Sequence, residues 1–157
     1  MDLKLQKKLF RKYPEIFQDR RKPGSETRMC DGICCGDGWF ELIDDISRQL
    51  SFLTKYFKCR ITLFQVKEKF AGLRYYINRP EGKWPRSIKD RNTLEKIIYT
   101  IKSDGERKSW YICEECGKSK NPPPKRLGNW LYAMCDDCWK KFLKNRGIKI
   151  KKKVKKE

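Results

Sequence analysis

Apolar positions along the chain fall into a few distinct periods. Leu5, Leu9 and Tyr13 lie four apart and Pro14 follows, which predicts a short basic helix over 3–13. Trp39, Leu42, Ile43, Ile46, Leu50, Leu53 and Phe57 step by three and four, which predicts a long helix over 39–57 with one apolar stripe. Asp37 or Gly38 suits its N-cap. The period then shortens. Ile61, Leu63, Phe64, Val66, Phe70, Leu73, Tyr75 and Ile77 are β-branched or aromatic in rough alternation, so strands are expected at about 60–69 and 73–78, joined tightly around Ala71-Gly72. Pro80, Gly82 and Pro85 mark a loop. Asn92-Thr93-Leu94-Glu95 has the form of a capping box; a second stripe follows at Leu94, Ile97, Ile98 and Ile101, with Ser103-Asp104-Gly105 as its stop. Trp110–Ile112 and Trp130–Met134 read as strands, and Trp139, Phe142 and Leu143 as a last helix.

These elements predict an α+β fold: a central helix, a short β-hairpin or antiparallel sheet, and a separate C-terminal module. The expected boundaries are 1–105 for the α+β domain, 106–145 for the module and 146–157 for a basic tail. The chain has 157 residues, of which 13% are aromatic, enough to bury a real core. The longest apolar run, Trp130 to Cys135, has six residues, far short of the roughly 18 that span a bilayer, so no membrane role is expected. Histidine is absent. That excludes Ser-His and Cys-His catalytic pairs and every histidine-ligated metal site.

The eight cysteines change the picture more. The first residues show no apolar stretch of the secretory type, so a reducing compartment is expected, where paired thiols bind metal more often than they form disulfides. Cys113-Glu114-Glu115-Cys116 and Cys135-Asp136-Asp137-Cys138 are two C-x2-C pairs separated by 18 residues. This spacing suits one four-thiolate zinc site: two residues between thiols let both sulfurs reach one metal from a single turn. Gly117 suits the positive φ of such a knuckle. Knuckle, hairpin and helix in this order would make a treble clef, with a plain zinc ribbon as the alternative. Four protein ligands make the ion structural and leave no open position for catalysis. Cys30, Cys34, Cys35 and Cys59 are irregularly spaced; they are either small buried hydrophobes or a second metal site.

Charge points toward partners. The formal net charge is +19, and residues 140–157 hold ten basic side chains against one acidic. Lys149, Lys151, Lys152, Lys153, Lys155 and Lys156 form an arm suited to phosphates, each contact releasing a condensed counterion. Lys67, Lys69 and Arg74 in the strand region join them as nucleic-acid candidates, beside Tyr75 and Tyr76, which either stack bases or pack in the core. Asp37, Glu41, Asp44, Asp45 and Glu68 are the only hint of a divalent-metal nuclease, and such a run of charge is usually the solvated face of a helix whose start favours acids.

Cys35-Gly36-Asp37-Gly38-Trp39, then Gln65-Val66-Lys67-Glu68-Lys69-Phe70-Ala71-Gly72-Leu73-Arg74-Tyr75-Tyr76, then Cys113-Glu114-Glu115-Cys116-Gly117 and the second pair occur in that order. With Lys12-Tyr13-Pro14, this resembles a family of small, largely uncharacterised bacteriophage and prophage proteins over about residues 12–142. Ala71 stands where that family usually has glycine, and Cys34 and the lysine tail depart from its pattern. The resemblance implies a phage origin and a zinc-bearing end, but no activity. The expected function is a non-enzymatic, zinc-stabilised nucleic-acid-binding protein acting in the host cytoplasm or carried in the virion. The competing expectation is a module that binds a host or virion protein through Trp39, Trp84, Trp110 and Trp130.

Overall fold

The computed structural model describes residues 1–81, 88–121 and 124–148. Helix α1 spans Leu3–Lys12, its first turn capped by the Asp2 carboxylate, which accepts the Lys4 amide at 2.8 Å. Strand β1 is only Ile33–Cys34. Helix α2 spans Phe40–Phe57, strand β2 Leu63–Lys69 and strand β3 Gly72–Ile77. Helix α3 spans Ile88–Ser109. Strands β4, Lys125–Leu127, and β5, Trp130–Tyr132, precede helix α4, Asp136–Asn145. The α+β class expected from the sequence is what the structure has.

One sheet has the order β1-β2-β3, with β1 parallel and β3 antiparallel to β2; the other is the β4–β5 hairpin. The α2 stripe behaves as its period requires: Trp39, Ile43, Ile46 and Leu50 are fully buried, against Ile33, Leu63, Val66, Leu73 and Tyr75 of the sheet. The Tyr75 hydroxyl meets the Ser47 hydroxyl at 2.8 Å inside this core.

Lys69 pairs with Gly72, so Phe70-Ala71 form a two-residue hairpin loop. Both have positive φ, 55° and 58°, the backbone of a type I′ turn that normally takes Asn-Gly. The Glu68 carboxylate accepts the Ala71 amide at 2.6 Å and holds this turn.

Several boundaries differ from the sequence expectation. Strand β2 begins at Leu63 because Arg60 instead bridges Glu81. Asp37 and Gly38 lie in a 3-10 turn over Asp37–Trp39 rather than capping α2; the Asp37 carboxylate accepts the Asp2 amide at 2.6 Å. Helix α3 begins before the capping-box motif at Asn92 and runs through Gly105 to Ser109. Gly105 is a point of close helix approach, not a stop: a Cβ there would lie 2.7 Å from Ile46 Cγ1 on α2. The continued helix lies along β3. The Leu73 amide donates to Ser109 Oγ at 2.9 Å and the Tyr75 amide to Glu106 Oε1 at 2.9 Å, so side chains of α3 satisfy two amides of β3. Trp110–Ile112 is a turn leaving α3 rather than a strand; only Ile112 bridges, to Ser119.

Among the described residues no helix is long and apolar enough to cross a membrane.

Candidate metal centre

The knuckle starts from backbone geometry. The Cys113 amide donates to the Lys118 carbonyl at 2.8 Å and the Gly117 amide returns to the Cys113 carbonyl at 2.9 Å. Gly117 has φ +72°, as a knuckle glycine needs. The second pair is placed by α4, whose N-cap is Cys135. Hydrogen bonding from the Cys138 amide in the first turn draws the Cys135 thiol down to about 7, which favours thiolate. The Cys135 amide donates to Cys113 Sγ at 3.2 Å, and the Glu114 amide to the Ala133 carbonyl at 2.7 Å, so the two pairs face each other.

The sulfurs of Cys113, Cys116, Cys135 and Cys138 all lie within 4.8 Å of one another, positioned to hold a metal ion. Four sulfurs about 2.3 Å from a tetrahedral centre are about 3.8 Å apart. Cys116 Sγ and Cys135 Sγ are separated by 3.8 Å, so the donor set fits such an ion. An ion held by all four has no open position, and its role would be structural. The order of elements, knuckle, β4–β5 hairpin and α4, is that of a treble clef. Tyr132 of the hairpin packs on Trp139 and Phe142 of α4, at 5.4 and 4.8 Å between ring centroids, and fixes the helix against the strands.

The sequence reading missed what the knuckle rests on. The Gly36 amide donates to the Glu114 carboxylate at 2.8 Å and the Gly38 amide to the Glu114 carbonyl at 2.7 Å. Trp39 Nε1 donates to the Ile112 carbonyl at 3.0 Å. A Cβ on Gly38 would overlap the Cys113 carbonyl and the Gly117 amide, and one on Gly36 would lie 2.8 Å from Glu114 Cγ. Burial raises the Glu114 carboxyl to about 7. The segment 36–39 is therefore a platform for the metal knuckle nearly 80 residues away in the chain. The two glycines before a helix were its sequence signal, since close backbone approach is one of the few reasons for such a pair.

The other cysteines divide. Cys35 and Cys59 are buried, whereas Cys30 and Cys34 are exposed. Among the described residues, Cys113, Cys116, Cys135 and Cys138 are the one group of three or more metal-ligating side chains that could hold an ion, so Cys30, Cys34, Cys35 and Cys59 do not come together as a second site. The carboxylates of Asp37, Glu41, Asp44, Asp45 and Glu68 thus do not assemble a divalent-metal site; Asp44 pairs with Lys12 and Asp45 with Arg48.

The strand cations do share a face. Lys67 and Lys69 alternate with buried Val66, and Lys67 sits opposite Arg74, so all three are on the side of the sheet away from Tyr75. The tyrosines divide by the same parity: Tyr75 is fully buried, and half-buried Tyr76 carries the Lys67 ammonium 5.7 Å from its ring centroid. Lys149, Lys151, Lys152, Lys153, Lys155 and Lys156 lie outside the described residues, as does Trp84. Trp39 is wholly buried, which removes it from any docking surface, while Trp110 and Trp130 are 43% and 73% exposed. The chain matches no protein-family model, no curated protein and no solved structure.

Proposed function

We propose that the chain is a non-enzymatic protein, stabilised by one structural zinc ion, that binds nucleic acid chiefly through its phosphates. The observation that carries this reading is the single sheet face holding Lys67, Lys69 and Arg74 beside Tyr76, in a chain of net charge +19. Zinc is favoured over other metals because four thiolates in a tetrahedron suit a borderline-soft ion with no geometric preference of its own. The lysine arm after Ile148 adds affinity without reading sequence. The resemblance to phage proteins supports action in a host cytoplasm or in the virion.

The test is binding of a duplex and a single strand against salt, for the full chain and for one shortened to end at Ile148. The full chain binds with a steep salt dependence, and the shortened chain still binds with a shallower slope. No binding by either chain at low salt ends the reading.

A second reading, docking on a host or virion protein, has one specific support. Phe52 and Tyr56 on α2 are 64% and 70% exposed with rings stacked at 5.8 Å. It predicts a partner in pull-downs that survives nuclease treatment.

A further inference from the structure

A cleft of about 500 Å³ opens between the end of β3 and the middle of α3. Tyr76 forms one part of its wall and Tyr99 another, Ile98 and Pro80 lie at its lining, and Arg79 and Lys102 add two cations. A second hollow, of about 530 Å³, lies on α3 beside the same Tyr99, bordered by Lys96. Tyr99 is 68% exposed and borders both hollows, so its ring is a fin standing off α3. Nothing in the core requires it. Glu95 is paired with Arg91 at 3.5 Å and Lys102 with Glu106 at 3.4 Å, which leaves Arg79 as the source of the cleft's net positive charge.

The cleft continues into the basic face already described. Lys67 sits over Tyr76, and on β3 the same side leads through Arg74 to Gly72. Gly72 has no side chain where Trp110 stands: a Cβ would lie 3.1 Å from the indole nitrogen. Rings at both ends with cations between them are the two components of a single-strand track, stacking platforms and a phosphate path. A duplex keeps its bases stacked inside and offers such rings little.

We propose that this cleft seats one unstacked base of a single-stranded nucleic acid against Tyr76 and Tyr99, with the flanking phosphates on Arg79 and the Lys67–Arg74 face. The proposal rests on the nucleic-acid reading above and narrows it to single strands, DNA or RNA.

The full-length protein is titrated with oligo-dT and oligo-rU of about 20 nucleotides, each carrying one 2-aminopurine, and with a blunt DNA duplex of equal length. At one salt concentration the single strands bind about tenfold tighter than the duplex, and 2-aminopurine emission changes on binding. Tyr99→Ala costs about tenfold in single-strand affinity, and Tyr99→Phe restores it, because a ring face is what is lost. The salt slope is the same in both, since no charge is removed. Tyr99 is exposed enough that the substitution leaves the fold intact; Tyr76→Ala gives the same loss from the opposite wall. Equal affinity for duplex and strand, or unchanged affinity in both alanine variants, overturns the cleft and leaves phosphate binding standing. Absence of binding to all three probes overturns both.

Discussion

The amide of Gly38 donates to the carbonyl of Glu114 at 2.7 Å, and no side chain fits between them. The metal knuckle is therefore held from outside by a loop just before α2.

Gly38→Ala forces that loop off the knuckle. Overpacking of this kind costs about 1–3 kcal/mol, and here it loosens the segment carrying Cys113 and Cys116. A lower unfolding midpoint and faster metal release to a chromogenic chelator are expected together. A variant with lower stability but unchanged metal release would separate the loop from the site.

Native mass spectrometry should find one metal ion per chain. Replacing any one of Cys113, Cys116, Cys135 or Cys138 by serine should abolish it, because ligand removal leaves three donors and an unfilled tetrahedron. Cys30→Ser and Cys34→Ser, at exposed thiols outside the cluster, should leave it in place.

Gly105→Ala inverts an ordinary rule. In an exposed helix interior the change stabilises by about 1 kcal/mol. Here the new methyl meets Ile46 across the α2–α3 contact, so the variant should unfold at lower denaturant. Ile46→Val should recover part of the loss in Gly105→Ala while being destabilising alone, a coupling that a double-mutant cycle reads directly.

Asp19 is buried, with Arg60 Nη2 at 2.6 Å and Asn78 Nδ2 at 3.3 Å. Burial alone would raise its carboxyl; the Thr62 hydrogen bond and the charges of Arg60 and Lys22 outweigh it and hold it below the usual range. A lowered folded value means stability that is present above the unfolded pKa and lost as pH falls through the folded one. Asp19→Asn should cost about 2 kcal/mol near neutrality, and its difference from the parent should shrink below about pH 4.

Ala71→Gly relieves a left-handed alanine at φ 58° and should stabilise by about 0.5 kcal/mol, measured by denaturant midpoint.

The α2 stripe and the C-x2-C pairs were legible because each is a local repeat with a single physical reading: one face of a helix, one metal from two turns. The extent of α3 was not. Asn92 and Gly105 carry the local marks of a start and a stop, and the helix runs through both; at Gly105 the missing side chain serves the close contact with Ile46. The knuckle's platform was hidden for a different reason. Gly36 and Gly38 act through atoms they lack, so the pair signals a close approach but not the partner, segment 113–117, which lies far along the chain. Parity within a strand already puts Lys67 with Lys69 and turns Tyr75 and Tyr76 opposite ways, but only the register between β2 and β3 brings Arg74 onto the face of the two lysines.

Glu106 and Ser109 occupy the amides of Tyr75 and Leu73, which a further strand would need. At the other margin, β1 is two residues long. The sheet is thus closed to β-augmentation at one edge and nearly so at the other, which also blunts the template that exposed edges offer to aggregation. Whatever binds this sheet must approach its broad basic face and read side chains, because little backbone is left to pair.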